Sequence, residues 1–217
     1  MKTACATILC TLAFLTSACV TGDEITSYVI EADGTIAFSI YRQDLASDQT
    51  GEEAKRELAQ YIRSLEDRSD SLFTDLAKGH AQEVEVAILR SAFPASVLIT
   101  GRIPSLHDFA AYLSNEDDDS SFVCTPFSQD RTHGLLFKVI RKYPAARTQS
   151  VNDHSPTGSL DEIRLALTEG QFTKAKGFLL AHDKRSALLD WKALDGQLAS
   201  SVPSITLSLE WQIPDSP

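Results

Sequence analysis

Cysteine is scarce in this chain. Four stand in 217 residues, at positions 5, 10, 19 and 124. Beyond residue 19 a single thiol remains, so no disulfide closes within that part and its stability rests on a hydrophobic core. Basic residues are short as well: 20 Lys and Arg stand against 30 Asp and Glu, a formal net charge of −10. That balance argues against a nucleic-acid partner, whose phosphates need clustered cations, and against a broad electrostatic contact with anionic lipid. The signatures of common catalytic and cofactor sites are missing too. There is no His-Glu-x-x-His, no paired Cys-x-x-Cys, no Gly-x-Ser-x-Gly, no phosphate-cradling glycine loop and no dinucleotide fingerprint. No catalytic residue, metal or cofactor is therefore expected. No fixed repeat period is visible, which argues against a solenoid. A hydrophobic content of 43% argues against disorder.

What is present begins at the amino end. Met1-Lys2 gives a short positive start, Thr3 to Leu15 is uncharged and mostly apolar, and Thr16-Ser17-Ala18 brings small residues up to Cys19. That order is the layout of a secretory signal peptide, whose apolar middle enters the membrane and whose small residues fit the peptidase cleft. The run Ser17-Ala18-Cys19 resembles the end of the bacterial lipoprotein lipobox, with Thr16 standing where leucine is commonest. The resemblance covers the leader alone. It implies cleavage before Cys19, diacylglycerol on the Cys19 thiol and usually a further acyl chain on the new amino terminus. One acyl chain binds a membrane marginally, whereas two or three hold firmly.

Two other readings stay open. The run from Thr3 to Val20 is at the lower limit, ~17 residues, at which an uncleaved anchor spans a bilayer. An ordinary secretory signal could also be cut near Ala18. Under the lipoprotein reading the expected organisation is a signal peptide over 1–18, a lipidated tether over 19–27 and one domain over 28–217. By analogy with enteric bacteria, Val20 rather than aspartate after the cysteine directs such a protein to the outer membrane, where the organism has one.

Downstream, the pattern alternates hairpins with helices. Tyr28 to Tyr41 reads as a hairpin about Asp33-Gly34, with Ile36, Phe38 and Ile40 on one face. Ala54, Leu58, Ile62 and Leu65 recur at helical spacing over Gly51 to Asp67, with Thr50 placed to cap the start. A short helix follows over Leu72 to Lys78. Runs from Glu83 and over Val97 to Ile103 should pair, and Ser105 should cap a helix ending at Leu113. Asn115 to Ser121 reads as exposed loop. Phe122 to Phe127 pairs with Gly134 to Arg141, 144–158 is loop, and Ser159 to Glu162 opens a helix with a capping box. Phe178 to Ala181 and Ala187 to Leu189 read either as strands about the His182 to Arg185 turn, with a short helix after them, or as helix. Ile205 to Ile213 alternates as a final strand. The fold class expected is α+β, a mainly antiparallel sheet of hairpins with helices on one face.

The polar residues carry little recognisable chemistry. The histidines, at 80, 107, 133, 154 and 182, are scattered. His107 and Asp108 are neighbours on a helix and point to different faces, which argues against a dyad. Cys124 lies in an alternating apolar stretch and reads as core, with His133 or His154 as candidate imidazole partners for a thiolate. Residues 116–119 crowd four carboxylates together and raise calcium. The stretch from Asp153 to Asp161 has some of an EF-hand's oxygen spacing, but Arg164 stands where a bidentate glutamate is needed.

Three function classes follow in order: a non-catalytic envelope lipoprotein binding a protein, glycan or lipid partner; an envelope enzyme, hydrolase-like, with dispersed residues; and a carrier or chaperone of apolar ligands.

Overall fold

The computed structural model describes residues 20–116, 120–129, 131–141, 163–189 and 204–213. The leader, Cys19, the acidic run 117–119 and the 142–162 segment lie outside them. So do the capping box at 159–162, His154 and any helix following Leu189.

Strand β1 spans Val20–Ile30 and returns as β2, Ile36–Ser47. The tether expected over residues 20–27 is thus corrected: these residues are strand from Val20 onward. Val20 faces Ser47, Thr21 faces Ala46 and the ladder continues to Ile30 opposite Ile36. The polar letters of this stretch misled because they have partners within the sheet. Glu24 accepts from the Arg42 guanidinium at 2.7 Å across the ladder. Gly22 marks a bulge, where a Cβ would meet the Gln43 carbonyl oxygen at 2.6 Å. At the far end the Glu31 amide donates to Thr35 at 2.8 Å, and Gly34 takes the left-handed conformation at φ +85°. Asp33 closes the turn by accepting from the Thr35 amide and hydroxyl.

Helix α1 covers Gly51–Glu66, burying Ala54, Leu58 and Leu65 as the spacing requires. Thr50 precedes it in extended geometry, but its side chain makes no cap. Helix α2, Ser71–Lys78, is capped by Asp70, which accepts from the Leu72 amide at 2.9 Å. Strands β3, Gln82–Arg90, and β4, Ala95–Ile103, form the expected hairpin. Helix α3, Leu106–Leu113, is capped by Ser105 as predicted. Then come β5 at Asn115–Glu116, β6 at Ser120–Gln129 and β7 at Thr132–Arg141. Ser121, expected in an exposed loop, is buried within β6.

The chain after residue 162 differs most from expectation. Ile163–Leu167 is strand β8 and not the continuation of a helix. Its Ile163, Leu165 and Leu167 are buried on one face, the period of two that a strand imposes. Strand β9, Gln171–Lys176, was not anticipated because Phe172 is its one large apolar residue. Strands β10, Phe178–Leu180, and β11, Ser186–Leu189, pair about the 182–185 turn, which decides for strands there. Strand β12 covers Ser204–Gln212, and Ile205, Leu207, Leu209 and Trp211 are buried together.

These strands make two sheets. Seven strands run in the order β10-β11-β8-β1-β2-β4-β3, and five run β5-β6-β7-β12-β9. Pairing is antiparallel except for β1 with β8, where Tyr28 lies beside Leu165. The α+β class holds. A contiguous cluster of buried side chains draws on both sheets and all three helices, with Tyr28, Phe38 and Ile99 from the larger sheet, Phe137 and Trp211 from the smaller, and Leu65, Leu76 and Phe109 from the helices. The Tyr28 and Phe109 rings meet edge-on at 4.7 Å, which fixes α3 against β1.

Candidate functional site

The chain changes sheets twice between β8 and β10, and glycine makes both corners. After β8 it leaves the larger sheet through Thr168-Glu169-Gly170 and enters the smaller sheet as β9; after β9 it returns through Gly177. Both glycines have left-handed backbone, φ +82° and +80°. A Cβ on Gly170 would collide with the Gln212 carbonyl, and one on Gly177 with the Leu207 side chain. Only glycine permits approaches that close. The first corner is tied to three elements. The Thr168 amide donates to the Ile30 carbonyl at 3.1 Å, the Phe172 amide to Lys184 at 2.8 Å and the Leu167 amide to Arg185 at 2.9 Å. The Arg185 guanidinium reaches back and donates to the Thr168 and Leu167 carbonyls.

This stitching opens a cavity of about 890 Å³ at the sheet junction. Its wall includes Arg131, Glu169, Gln171, Thr173, Arg185 and Gln212, so donors and acceptors of both charge signs face one open space. Around it, Gln212 donates to the Thr132 hydroxyl at 3.4 Å, Thr173 to the Glu210 carbonyl at 3.3 Å, and Lys174 to the Glu210 carboxylate at 2.7 Å. The cavity sits at the Ile30 end of β1, the end away from Val20. Eleven residues of strand at ~3.3 Å each put the two ends roughly 30 Å apart. Sequence reasoning missed this site, although the 182–185 turn and the final strand that supply Arg185 and Gln212 to its wall were both read from the sequence.

A second polar constellation lies between the sheet and the helices. Arg42 bonds Glu24 at 2.7 Å and the Tyr61 hydroxyl at 2.5 Å, with Asp70 at 4.0 Å. Burial opposes the Arg42 charge, but Tyr61, Glu24 and Asp70 outweigh it and raise its pKa above the ordinary value. Nearby, the Tyr28 hydroxyl donates to that of Tyr112 at 3.4 Å, and burial pushes both phenols up. This network ties α1 and α2 to the first hairpin.

The residues singled out in the sequence are dispersed. Cys124 is 6% exposed in the core, and burial pushes its thiol up to about 12, which leaves no thiolate at neutral pH. His133 lies beside the Ser128 hydroxyl at 3.2 Å and stacks on Trp211. Asp108 pairs with His80, Nδ1 to carboxylate at 2.7 Å, and not with His107. The Ser105 hydroxyl and then His80 hold the Asp108 carboxyl below its usual range. The His80 side chain is 73% exposed and lies outside the cavity wall. Among the described residues no group of three His, Cys, Asp or Glu side chains is placed to hold a metal ion.

No protein-family model matches this chain, and no curated protein does. The solved NMR structure of the folded domain of Mycobacterium tuberculosis LppM aligns with 90% of this chain and 93% of its own length, at a TM-score of 0.41 and 11% identity. A likeness that weak carries no argument about role.

Proposed function

We propose that this is a lipoprotein of the cell envelope, anchored through Cys19, whose domain is a non-catalytic binding module presenting a polar cavity away from the membrane. One observation carries the reading: β1 starts at Val20, directly after the lipobox-like Ser17-Ala18-Cys19, and ends at Ile30 beside the cavity. The strand acts as a rigid spacer of roughly 30 Å between acyl chains and cavity mouth. The mixed wall of guanidinium, carboxylate, amide and hydroxyl groups suits a partner rich in hydroxyls and amides, such as a glycan or an extended peptide. The charged and amide side chains of that wall favour such a partner over an apolar guest. The enzyme reading lacks support from Cys124, whose buried thiol is protonated, and from His80-Asp108, which lies outside the wall of this cavity. An outer-membrane address remains the extension of this reading that Val20 favours.

The test is a titration of envelope glycan fragments and short peptides against the isotope-labelled protein. Shifts should cluster on Gln171, Thr173 and Gln212 and vanish in Thr173→Trp, which fills the mouth. Binding that maps to another face would refute the assignment.

A further inference from the structure

We propose that the tip of the β3–β4 hairpin is a second membrane contact of the anchored protein, Leu89 and Phe93 entering the lipid interface beside the acyl chains on Cys19. The inference rests on the Cys19 reading above. Register places the tip. Val20 of β1 lies opposite Ser47 of β2, and Leu45 of β2 lies opposite Ala95 of β4. The hairpin tip at residues 91–94 therefore shares one end of the larger sheet with Val20. With strands ~4.8 Å apart, two to three spacings put the tip roughly 12 Å from the anchor along the membrane plane. No tether intervenes, since the residue after Cys19 is already in the ladder. A domain attached so closely rests this end of the sheet on the bilayer.

What the end offers is apolar. Leu89 is 56% exposed and Phe93 57% exposed, and the two stand within four residues of each other at the tip end of the hairpin. Along the exposed side of β3, Glu83 and Glu85 give way to Ala87 and Leu89, with Arg90 exposed between Leu89 and the tip. Charge at this end selects the lipid. Asp23, Asp44 and Asp48 are exposed there and outnumber Arg90 beside the tip, a balance that disfavours an anionic surface. The partner is thus an electroneutral bilayer that receives two side chains by hydrophobic insertion.

The experiment uses the full chain, expressed and processed to the lipidated form. Ser91→Cys carries an environment-sensitive fluorophore, and Cys124 stays silent because it is buried. Ala32→Cys, in the turn at the opposite end of the same sheet, carries it as the reference. Both proteins are placed in phosphatidylcholine vesicles with brominated chains. The Ser91 label should shift to the blue and be quenched by bromine, while the Ala32 label behaves as in water. In Leu89→Ser/Phe93→Ser the quenching at Ser91 should disappear, with acyl mass and vesicle flotation unchanged. Acylated, vesicle-bound protein whose Ser91 label is quenched no more than the Ala32 label overturns the contact and leaves the anchor standing. Quenching that survives the double substitution overturns the role of the two side chains. Absence of acyl mass on Cys19 overturns the anchor and the contact with it.

Discussion

Gly170→Ala and Gly34→Ala form a matched pair, because the two glycines share a backbone conformation and differ in their surroundings. Gly34 has φ +85° with nothing within 4 Å of a built Cβ, whereas Gly170 has φ +82° and would drive its Cβ into the Gln212 carbonyl. The carbonyl carbon of Gln212 stands at 3.0 Å and the Ile213 Cα at 3.2 Å, so the obstruction is backbone that no rotamer change relieves. Alanine in the left-handed region costs about 1–2 kcal/mol, and that strain is common to both variants. Overpacking adds about 1–3 kcal/mol at Gly170 alone. The expected losses are therefore roughly 1–2 kcal/mol for Gly34→Ala and roughly 2–5 kcal/mol for Gly170→Ala. For a chain of this size, a loss of 1 kcal/mol lowers Tm by roughly 2–4 °C. Urea unfolding followed by the fluorescence of buried Trp211 gives both numbers on one scale. Gly170→Ala should also distort the cavity and weaken whatever binds there, while Gly34→Ala leaves binding intact. Equal destabilisation by the two substitutions would refute the argument that backbone crowding builds the corner.

Other outcomes follow from the same physics. Cys124 should resist alkylation at pH 8 in the native protein and react fully once unfolded. Its folded pKa of about 12 lies above the ordinary value of 9.0, so the unfolded state loses its proton first. Stability present below pH 9 should then fall between about pH 9 and 12, by up to ~1.4 kcal/mol per pH unit, and Cys124→Ala should reduce that slope in chemical denaturation. Arg42→Met leaves Glu24, its side chain only 11% exposed, without its cation and with the Thr26 hydroxyl as a neutral donor, and should cost about 3 kcal/mol in the same assay. A double-mutant cycle with Tyr61→Phe should show coupling, because the two share a hydrogen bond. The exposed pair Lys55–Glu52 is a contrast, and Lys55→Ala should change stability by less than about 0.5 kcal/mol.

The first hairpin, α1 through α3, the β6–β7 pair and β12 could all be read from local pattern, because each shows its own period, and the Asp33-Gly34 turn and the Ser105 cap mark two of the boundaries. Ser105 and the Ile205 to Trp211 alternation are the plainest instances. The misses are places where distant residues decide. Thr21 to Ser27 looks solvated until Arg42 and the rest of β2 are laid beside it. Ile163 to Leu167 became a strand because β1 and β11 flank it, and its parallel partner lies more than a hundred residues away in sequence. The cavity was the least legible feature. Its wall comes from the β6–β7 turn, the β8–β9 corner, the β10–β11 turn and the end of β12, and no segment of the chain holds enough of it to signal a site. The hairpin tip shows the same limit: Phe93 is visible as a letter, but its place beside Val20 follows only from strand order.

The claim that organises the rest is the lipid on Cys19. Its most direct test is the intact mass of the protein recovered from the membrane fraction, measured beside a Cys19→Ser variant. The account predicts a wild-type chain that begins at Cys19 and carries acyl mass, and a variant that carries none. A wild-type mass equal to the full chain, or to a chain cut near residue 18 without lipid, would contradict it.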